Sequence, residues 1–409
     1  MSNDTFDVII TSNSPGELYS LVRPAIKAIK TKIKSSRIIL VITPCQYASG
    51  REIEVARTFP ELYEIIFPQE FKKWALQNKQ PKGIKFSNKG VVLFMGGDLL
   101  HAVVLSKKLK YPAYAYTMNK IAWNNMYSAF FVPDEKMADK ARKLKVPEEK
   151  IFTVGDLMVD AVSLDGKQKN KEDFTITLMP GSRPAHLRFL APFFLKVADL
   201  IKDERPDIAL VFGLSPYSNP LKLEEYLSSN KMKNEDKKDG TYGRLEMTDG
   251  NKYIVSAKGT KVLIIEKNPS EAIKTADLMI TIPGTNTAEA AAMGCPMLVV
   301  VPFNKPEAYI FDGLAGMIGN LPLIGRHIKK ATIKVLNKAN KYIALPNRKA
   351  DKMIVPELRG DLRAEDVAKM ALEMVKAPDK LASMSKELKD VMGHSGAADK
   401  IAGQIATLL

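Results

Sequence analysis

The residues of this 409-residue chain that could do chemistry gather where short apolar runs give way to glycine. The fullest case is Pro283-Gly284-Thr285-Asn286-Thr287, set between the runs Leu278 to Ile282 and Met297 to Val301. Glycine lets the backbone approach a ligand, and a helix start leaves N–H donors unpaired, so such a loop suits phosphate oxygens. Glu289, read on the first turn of the following helix, is placed to accept hydrogen bonds from a ribose diol. Equally, Thr287 can cap that helix and Glu289 complement its dipole. The loop Pro180-Gly181-Ser182-Arg183 repeats the pattern and adds a planar guanidinium fork that matches phosphate. A third loop, Ser12-Asn13-Ser14-Pro15-Gly16-Glu17-Leu18, reads as an anion or sugar cradle or as a well-capped turn. Asp98, after Gly96-Gly97, stands where catalytic acids and bases gather in α/β proteins, and it is also a natural helix N-cap. His101, three residues on, shares its helical face and can pair with it.

These residues need strands that end beside one another and helices that start there. Leu278 to Ile282 and Met297 to Val301 are rich in β-branched residues, as parallel strands buried on both faces are. The Ala-rich stretch between them favours helix, Gly294 stops it and Pro296 bars its continuation, so Asp277 to Phe303 is a βαβ unit. The same alternation runs through Val8 to Thr11, Arg37 to Thr43, Val91 to Met95, Ala113 to Tyr116, Ala129 to Val132 and Ile151 to Gly155. It resumes with Thr175 to Met179, Ile208 to Phe212 and Val262 to Ile265. The polar stretch Ser163 to Asp173 lies between the two series and reads as a linker. Ser228 to Lys252 reads as an exposed excursion and Tyr342 to Asn347 as a strand and turn. Three helices close the chain, Ala364 to Lys376, Pro378 to about Met392 and Ala397 to Leu409. The pattern is α/β, two doubly wound parallel-sheet halves with similar layouts.

A length of 409 residues holds two or three domains, and 45% apolar with 26% charged residues is ordinary for a soluble globular protein. A formal charge of +15 and a pI near 9.4 favour an acidic partner: nucleic acid, an anionic membrane surface or a phosphorylated substrate. The lysines are scattered and carry no helix-turn-helix, zinc-finger or RNA-recognition signature, which makes nucleic acid the weakest of the three. Cys45 and Cys295 stand far apart without a partner motif, against a disulfide scaffold or structural zinc and for a reducing cytosol. No apolar run reaches the roughly 18 residues of a membrane span, and the first strand begins too early for a signal peptide. Membrane contact is then peripheral. Two segments could supply it: Phe59 to Phe86, where aromatic residues interleave with lysines, and Tyr309 to Lys341, an apolar stretch feeding a basic amphipathic helix. Both can equally be buried.

Two doubly wound Rossmann-like domains in tandem, with phosphate-type loops in the second, resemble the GT-B glycosyltransferase architecture, in which the domains face a cleft. The motifs are similar to those of the bacterial lipid-A-disaccharide synthase family. Leu178-Met179-Pro180-Gly181-Ser182-Arg183 resembles its LPGSR loop, and Pro283-Gly284-Thr285-Asn286-Thr287-Ala288-Glu289 its SGTATLE motif. Leu345-Pro346-Asn347 with Val355-Pro356-Glu357-Leu358 resembles its LPN and PEL segment, and Val154-Gly155-Asp156 with Asp160-Ala161 its interdomain crossing. The likeness covers the C-terminal half well and the N-terminal half thinly. It implies that Gly181, Ser182, Arg183, Gly284, Thr285 and Asn286 hold the diphosphate of UDP, that Glu289 holds the ribose, and that Asn347 and Glu357 line the same cleft. It makes Asp98 the general base and places Asn13, Gly16, Glu17 and His101 on the acceptor side. The departures fall there too: the family's AGExSGD loop is Asn13-Ser14-Pro15-Gly16-Glu17 without its first acid, and its P-x-x-W-A-W segment is reduced to Ile121-Ala122-Trp123.

The resemblance implies an acceptor-binding domain over 1–164, a UDP-sugar-binding domain over 165–385, and a terminal helix over 386–409 that packs back on the first. It implies inverting transfer of an acylated glucosamine from UDP to a lipid-linked acceptor, by a protein at the inner face of the cell membrane. No Asp-x-Asp motif marks a metal site, and no cofactor is expected. A different lipid glycosyltransferase, a UDP-GlcNAc 2-epimerase, or a UDP-sugar-binding membrane-surface protein without catalysis are the alternatives. Oligomeric state is not legible.

Overall fold

The computed structural model describes residues 5–13, 15–44, 52–163, 173–181, 183–214, 220–228, 239–266, 269–308, 332, 335, 337 and 340–409. Ser182, nearly all of the expected linker and most of the basic amphipathic segment 309–341 lie outside the described residues. The chain forms two compact units, Met1–Leu164 with Gly393–Leu409, and Asp165–Met392. The helix Pro378–Met392 is continuous, so the second unit runs to Met392 rather than 385. The chain turns at Gly393 and Gly396, both at positive φ.

In the first unit, β1 (Phe6–Ser12), β2 (Ser36–Ile42), β3 (Leu62–Ile66), β4 (Lys89–Phe94), β5 (Ala113–Tyr116), β6 (Ala129–Val132) and β7 (Ile151–Thr153) form one sheet. Its order is β3-β2-β1-β4-β5-β6-β7, and every pair is parallel. Val8, Ile9 and Ile10 of β1 and Ile38 to Val41 of β2 are fully buried, as a sheet covered on both faces requires. After β1 the chain is helical to Lys32, by way of a π-helical turn, Leu18–Val22. Of the residues that a membrane reading of 59–86 would need, Phe59, Phe71 and Trp74 are buried while Tyr63 and Leu76 are exposed, and Trp74 stacks on Phe86 at 5.2 Å. No helix among the described residues is long and apolar enough to cross a membrane.

The terminal helix Ala397–Ala406 buries Ala397, Ala398, Ile401, Ala402 and Ile405 and packs on the helix Arg23–Lys32. Its start is capped from elsewhere in the same unit. The Asp160 carboxylate accepts from the Gly396 N–H at 2.5 Å and the Ala398 N–H at 2.6 Å, filling donors that a helix start leaves open. Asp160→Ala is expected to cost about 1–3 kcal/mol by stranding those N–H groups, and to expose the segment after Met392 to limited proteolysis. Urea unfolding checks the first effect and the cleavage map the second.

In the second unit, β8 (Thr175–Met179), β9 (Ala209–Gly213), β10 (Gly243–Thr248), β11 (Asn251–Ser256), β12 (Lys261–Ile265), β13 (Leu278–Thr281), β14 (Met297–Pro302) and β15 (Glu357–Gly360) are ordered β10-β11-β12-β9-β8-β13-β14-β15. The strands β12 to β15 in that row are parallel, and β10 and β11 are an antiparallel hairpin on the edge. The 21-residue helix Pro184–Glu204 covers one face with Phe193 and Phe194 fully buried. Two expectations need correction. Much of the supposed excursion 228–252 is strand, because Asp249 (φ 52°) and Gly250 (φ 76°) make the left-handed pair that closes a two-residue hairpin. Leu345–Ala350 is a short helix with Pro346 in its first turn rather than a strand, a place where proline's fixed φ suits the helix.

Candidate functional site

In an open parallel sheet, the crevice for a ligand opens at the carboxyl ends of two adjacent strands whose connections leave in opposite directions. The sheet orders put one such point in each unit, between β8 and β13 and between β1 and β4.

At β8 and β13, Pro180-Gly181 and Pro283-Gly284-Thr285-Asn286 leave neighbouring strands and enter the helices Pro184–Glu204 and Thr285–Met293. Gly181 has φ +107°, and a Cβ there would lie 2.3 Å from His186 Nδ1 and 2.7 Å from Ile282 Cδ1, so both conformation and space require glycine. Gly284 and Thr285 are exposed, and Gly284 is the N-cap with no side chain capping the helix. Thr287 is therefore not the cap: its hydroxyl donates to the Gly284 carbonyl at 2.8 Å from inside the helix. Glu289 falls on the second turn, not the first, and is 8% exposed. Asn286 Nδ2 donates to Thr281 Oγ1 at 2.5 Å, which fixes the loop to the end of β13. Arg183 is half-buried at the N-cap of the other helix.

His186, one turn into that helix, was not singled out from the sequence. Its Nδ1 is buried without a hydrogen-bond partner. Burial first, and the Arg183 charge second, lower its pKa from 6.5 to about 4. The sign follows directly: the unfolded ring protonates near pH 6.5 and the folded one resists, so stability present above pH 6.5 is lost as pH falls toward 4. Between pH 7.5 and pH 5 the loss from this group is about 2 kcal/mol. Urea unfolding should show the wild type losing that much more than His186→Gln over the same interval.

Asn347 and Glu357, expected to line the cleft, do not. Asn347 is fully buried. Its Nδ2 donates to Val355 O and Glu357 Oε1, both at 2.8 Å, and its Oδ1 accepts from the Ile354 and Val355 N–H groups at 2.8 and 2.9 Å. That uses every donor and acceptor of the amide. The Glu357 side chain has no exposed surface and pairs with Arg359. It also accepts from the Ile343 and Ala344 N–H groups at 3.0 and 2.9 Å. Both residues hold the backbone of 343–357 together.

At β1 and β4, the Glu17 carboxylate lies directly on Gly96, where a Cβ would come within 1.9 Å of its Oε2. Ser12 Oγ approaches the same oxygen at 3.4 Å. A Cβ on Gly97 (φ +89°) would meet Thr43 Oγ1 at 2.8 Å and Asn13 Nδ2 at 2.9 Å. The diglycine thus does more than close a strand: it leaves room for Asn13 and Glu17. Gly16 accepts the Ser20 hydroxyl at 2.7 Å. Thr11 and Thr43 hydroxyls are buried here with no partner among the described residues. Their only sequence signal is a threonine at each strand's end.

Asp98 is exposed and caps the helix Leu99–Leu109, its Oδ1 accepting from the Leu100 N–H at 2.9 Å. The expected His101–Asp98 side-chain pair is not made. The His101 ring packs edge-on against Phe71 at 5.1 Å, and its Nδ1 is buried without a partner. Burial lowers its pKa, opposed by the Asp98 charge. His101 thus packs as a wall of the core.

No protein-family model matches the chain. It is 28% identical over 244 residues to the lipid-A-disaccharide synthase of Syntrophus aciditrophicus (strain SB), covering 58% of this chain and 51% of that one. It is 27% identical over 183 residues to that of Hahella chejuensis, covering 45% and 34%. The chain spans about half the length of the curated relatives it matches first. Among solved structures it is similar to UDP-GlcNAc 2-epimerase from Neisseria meningitidis bound to UDP-GlcNAc, with a TM-score of 0.58 and 13% identity over 98% of this chain and 100% of that one. It is also similar to the S. aureus MnaA-UDP co-structure, with a TM-score of 0.57 and 14% identity over 99% and 98%. These likenesses show the fold, two Rossmann-like units of the GT-B class.

Proposed function

We propose that this chain, a divergent relative of the lipid-A-disaccharide synthases, is an inverting glycosyltransferase that moves a glucosamine-type sugar from UDP to a lipid-linked acceptor. The observation that carries this reading is the meeting of the two glycine loops at the β8–β13 switch point, each opening a helix, with Arg183 at the N-cap of one of them. Unpaired N–H groups and a guanidinium there suit a diphosphate. UDP leaves with developing negative charge, which these donors stabilise by about 3 kcal/mol per well-placed group. The curated relatives are lipid-A-disaccharide synthases, which supports an acylated glucosamine as the sugar and diacylglucosamine 1-phosphate as the acceptor.

Asp98 is the general base in this reading. It takes the proton of the acceptor hydroxyl as that oxygen attacks the anomeric carbon, and its second carboxylate oxygen is left for the task while the first caps the helix. An acyl-bearing acceptor places the protein at the cytoplasmic membrane surface, where the excess of positive charge favours anionic lipid. Glu289→Gln is expected to raise the Kd for UDP about tenfold, the scale of one lost charged hydrogen bond, with a smaller change in turnover of bound donor. Titration calorimetry with UDP beside single-turnover rates checks it, and unchanged affinity removes Glu289 from the ribose.

The deciding experiment follows UDP release from UDP-diacylglucosamine, with and without diacylglucosamine 1-phosphate, in EDTA. Acceptor-dependent release with a disaccharide product is the expected result. An epimerase would instead interconvert UDP-GlcNAc without an acceptor, and a binding protein would hold UDP without releasing product.

A further inference from the structure

The helix that follows the 180–183 loop carries a histidine in its first turn. Gly181 is pressed between two side chains: His186 from the helix that follows it and Ile282 from the end of β13. The imidazole therefore lies against the backbone of the loop assigned to the diphosphate. Its Nδ1 is shut away from solvent without a partner among the described residues. Nε2 is then the nitrogen with which the ring would meet a ligand.

Two features keep the free ring neutral. It is surrounded by protein, and Arg183, three residues earlier, holds a positive charge beside it. Arg183 is the charged group whose field bears on the ring. From β13 it meets the apolar Ile282, and from the loop the Gly181 backbone. A diphosphate seated on Arg183 reverses this balance. Its negative charge cancels the guanidinium field, and a ring that carries its one proton on Nδ1 when free must gain a second at Nε2 to donate to a phosphate oxygen, so the protonated ring becomes the favoured form.

We propose that His186 is a positioning residue of the donor site that takes up a proton when a nucleoside diphosphate binds, clamping the diphosphate beside Arg183. This rests on the donor reading given above. Linkage makes the consequence measurable, since a group that gains a proton on binding makes affinity rise as pH falls. The free ring titrates at about 4. A bound ring returned to the ordinary value of about 6.5 takes up roughly 0.9 proton at pH 5.5. Affinity then rises about tenfold from pH 7.5 to pH 5.5.

UDP-GlcNAc is the probe, because both its phosphates stay singly ionised across this range, whereas the terminal phosphate of UDP titrates within it. Calorimetry of the full chain in buffers of differing ionisation enthalpy counts the protons. For the wild type, close to one proton at pH 5.5 and the tenfold rise in affinity are expected. For His186→Gln, whose amide can still reach the ligand but cannot be protonated, the uptake and the pH dependence should vanish. His186→Asn serves as a second variant with the same expectation should the first fold poorly. Wild-type binding without proton uptake overturns the role of His186 and leaves the donor site standing. Failure of the wild type to bind either UDP-GlcNAc or UDP overturns the donor reading itself, and this proposal with it.

Discussion

Asp98→Asn is expected to lower turnover by about 10² to 10⁴, the range a positioned general base contributes, while leaving the Kd for UDP within about twofold. The substitution is informative because of what it keeps. Asparagine caps a helix as well as aspartate does, so the 2.9 Å bond from the Leu100 N–H and the start of the helix Leu99–Leu109 survive. Only the capacity to accept a proton goes. Asp98→Ala would remove cap and base together and confuse the two. Rates measured with saturating donor and acceptor, beside UDP calorimetry and a thermal melt, separate chemistry from binding and folding. Full activity in Asp98→Asn would move the base elsewhere at the β1–β4 crevice, where the Glu17 carboxylate lies against Gly96.

The second large effect is expected on stability rather than rate. Asn347→Ala should cost about 3–5 kcal/mol, because it strands the buried Val355 N–H and carbonyl, takes one partner each from the Ile354 N–H and from Glu357 Oε1, and leaves a cavity. Each orphaned group carries about 1–3 kcal/mol, and partial relaxation brings the sum below simple addition. Equilibrium urea unfolding reads the loss as a lower midpoint at unchanged slope. At low temperature, where the variant is still folded, UDP affinity should be close to that of the wild type. A variant of normal stability with lost activity would return Asn347 to the ligand and overturn the structural role.

The two residues differ in how far sequence could carry them. Asp98 was placed at the mouth of its strand by a local pattern, an apolar run ending in Gly-Gly-Asp before a helical stretch. Both its N-cap bond and its position follow from that pattern. Asn347 sits in a motif that resembles one in a glycosyltransferase family, and the resemblance suggested a cleft residue. The structure shows it holding Ile354, Val355 and Glu357, because whether an amide faces ligand or backbone depends on what folds over it. Asp249-Gly250 announces the hairpin β10–β11 locally, but the charged residues around that pair read equally as an exposed loop.

What the sequence determined by itself was the alternation of strand, glycine loop and helix in two series, and so the doubly wound class and the loops that could hold phosphate. Those features follow from hydrophobic period and from glycine and proline punctuation, which act over a few residues. Only the tertiary structure decided which loops share a crevice, since strand order depends on pairings such as β8 with β13, a hundred residues apart. The same holds for the contacts that fill the crevices. Glu17 rests on Gly96, His186 presses on Gly181, and Asn347 turns inward to Glu357, each because packing brings together side chains and backbone that no local pattern relates.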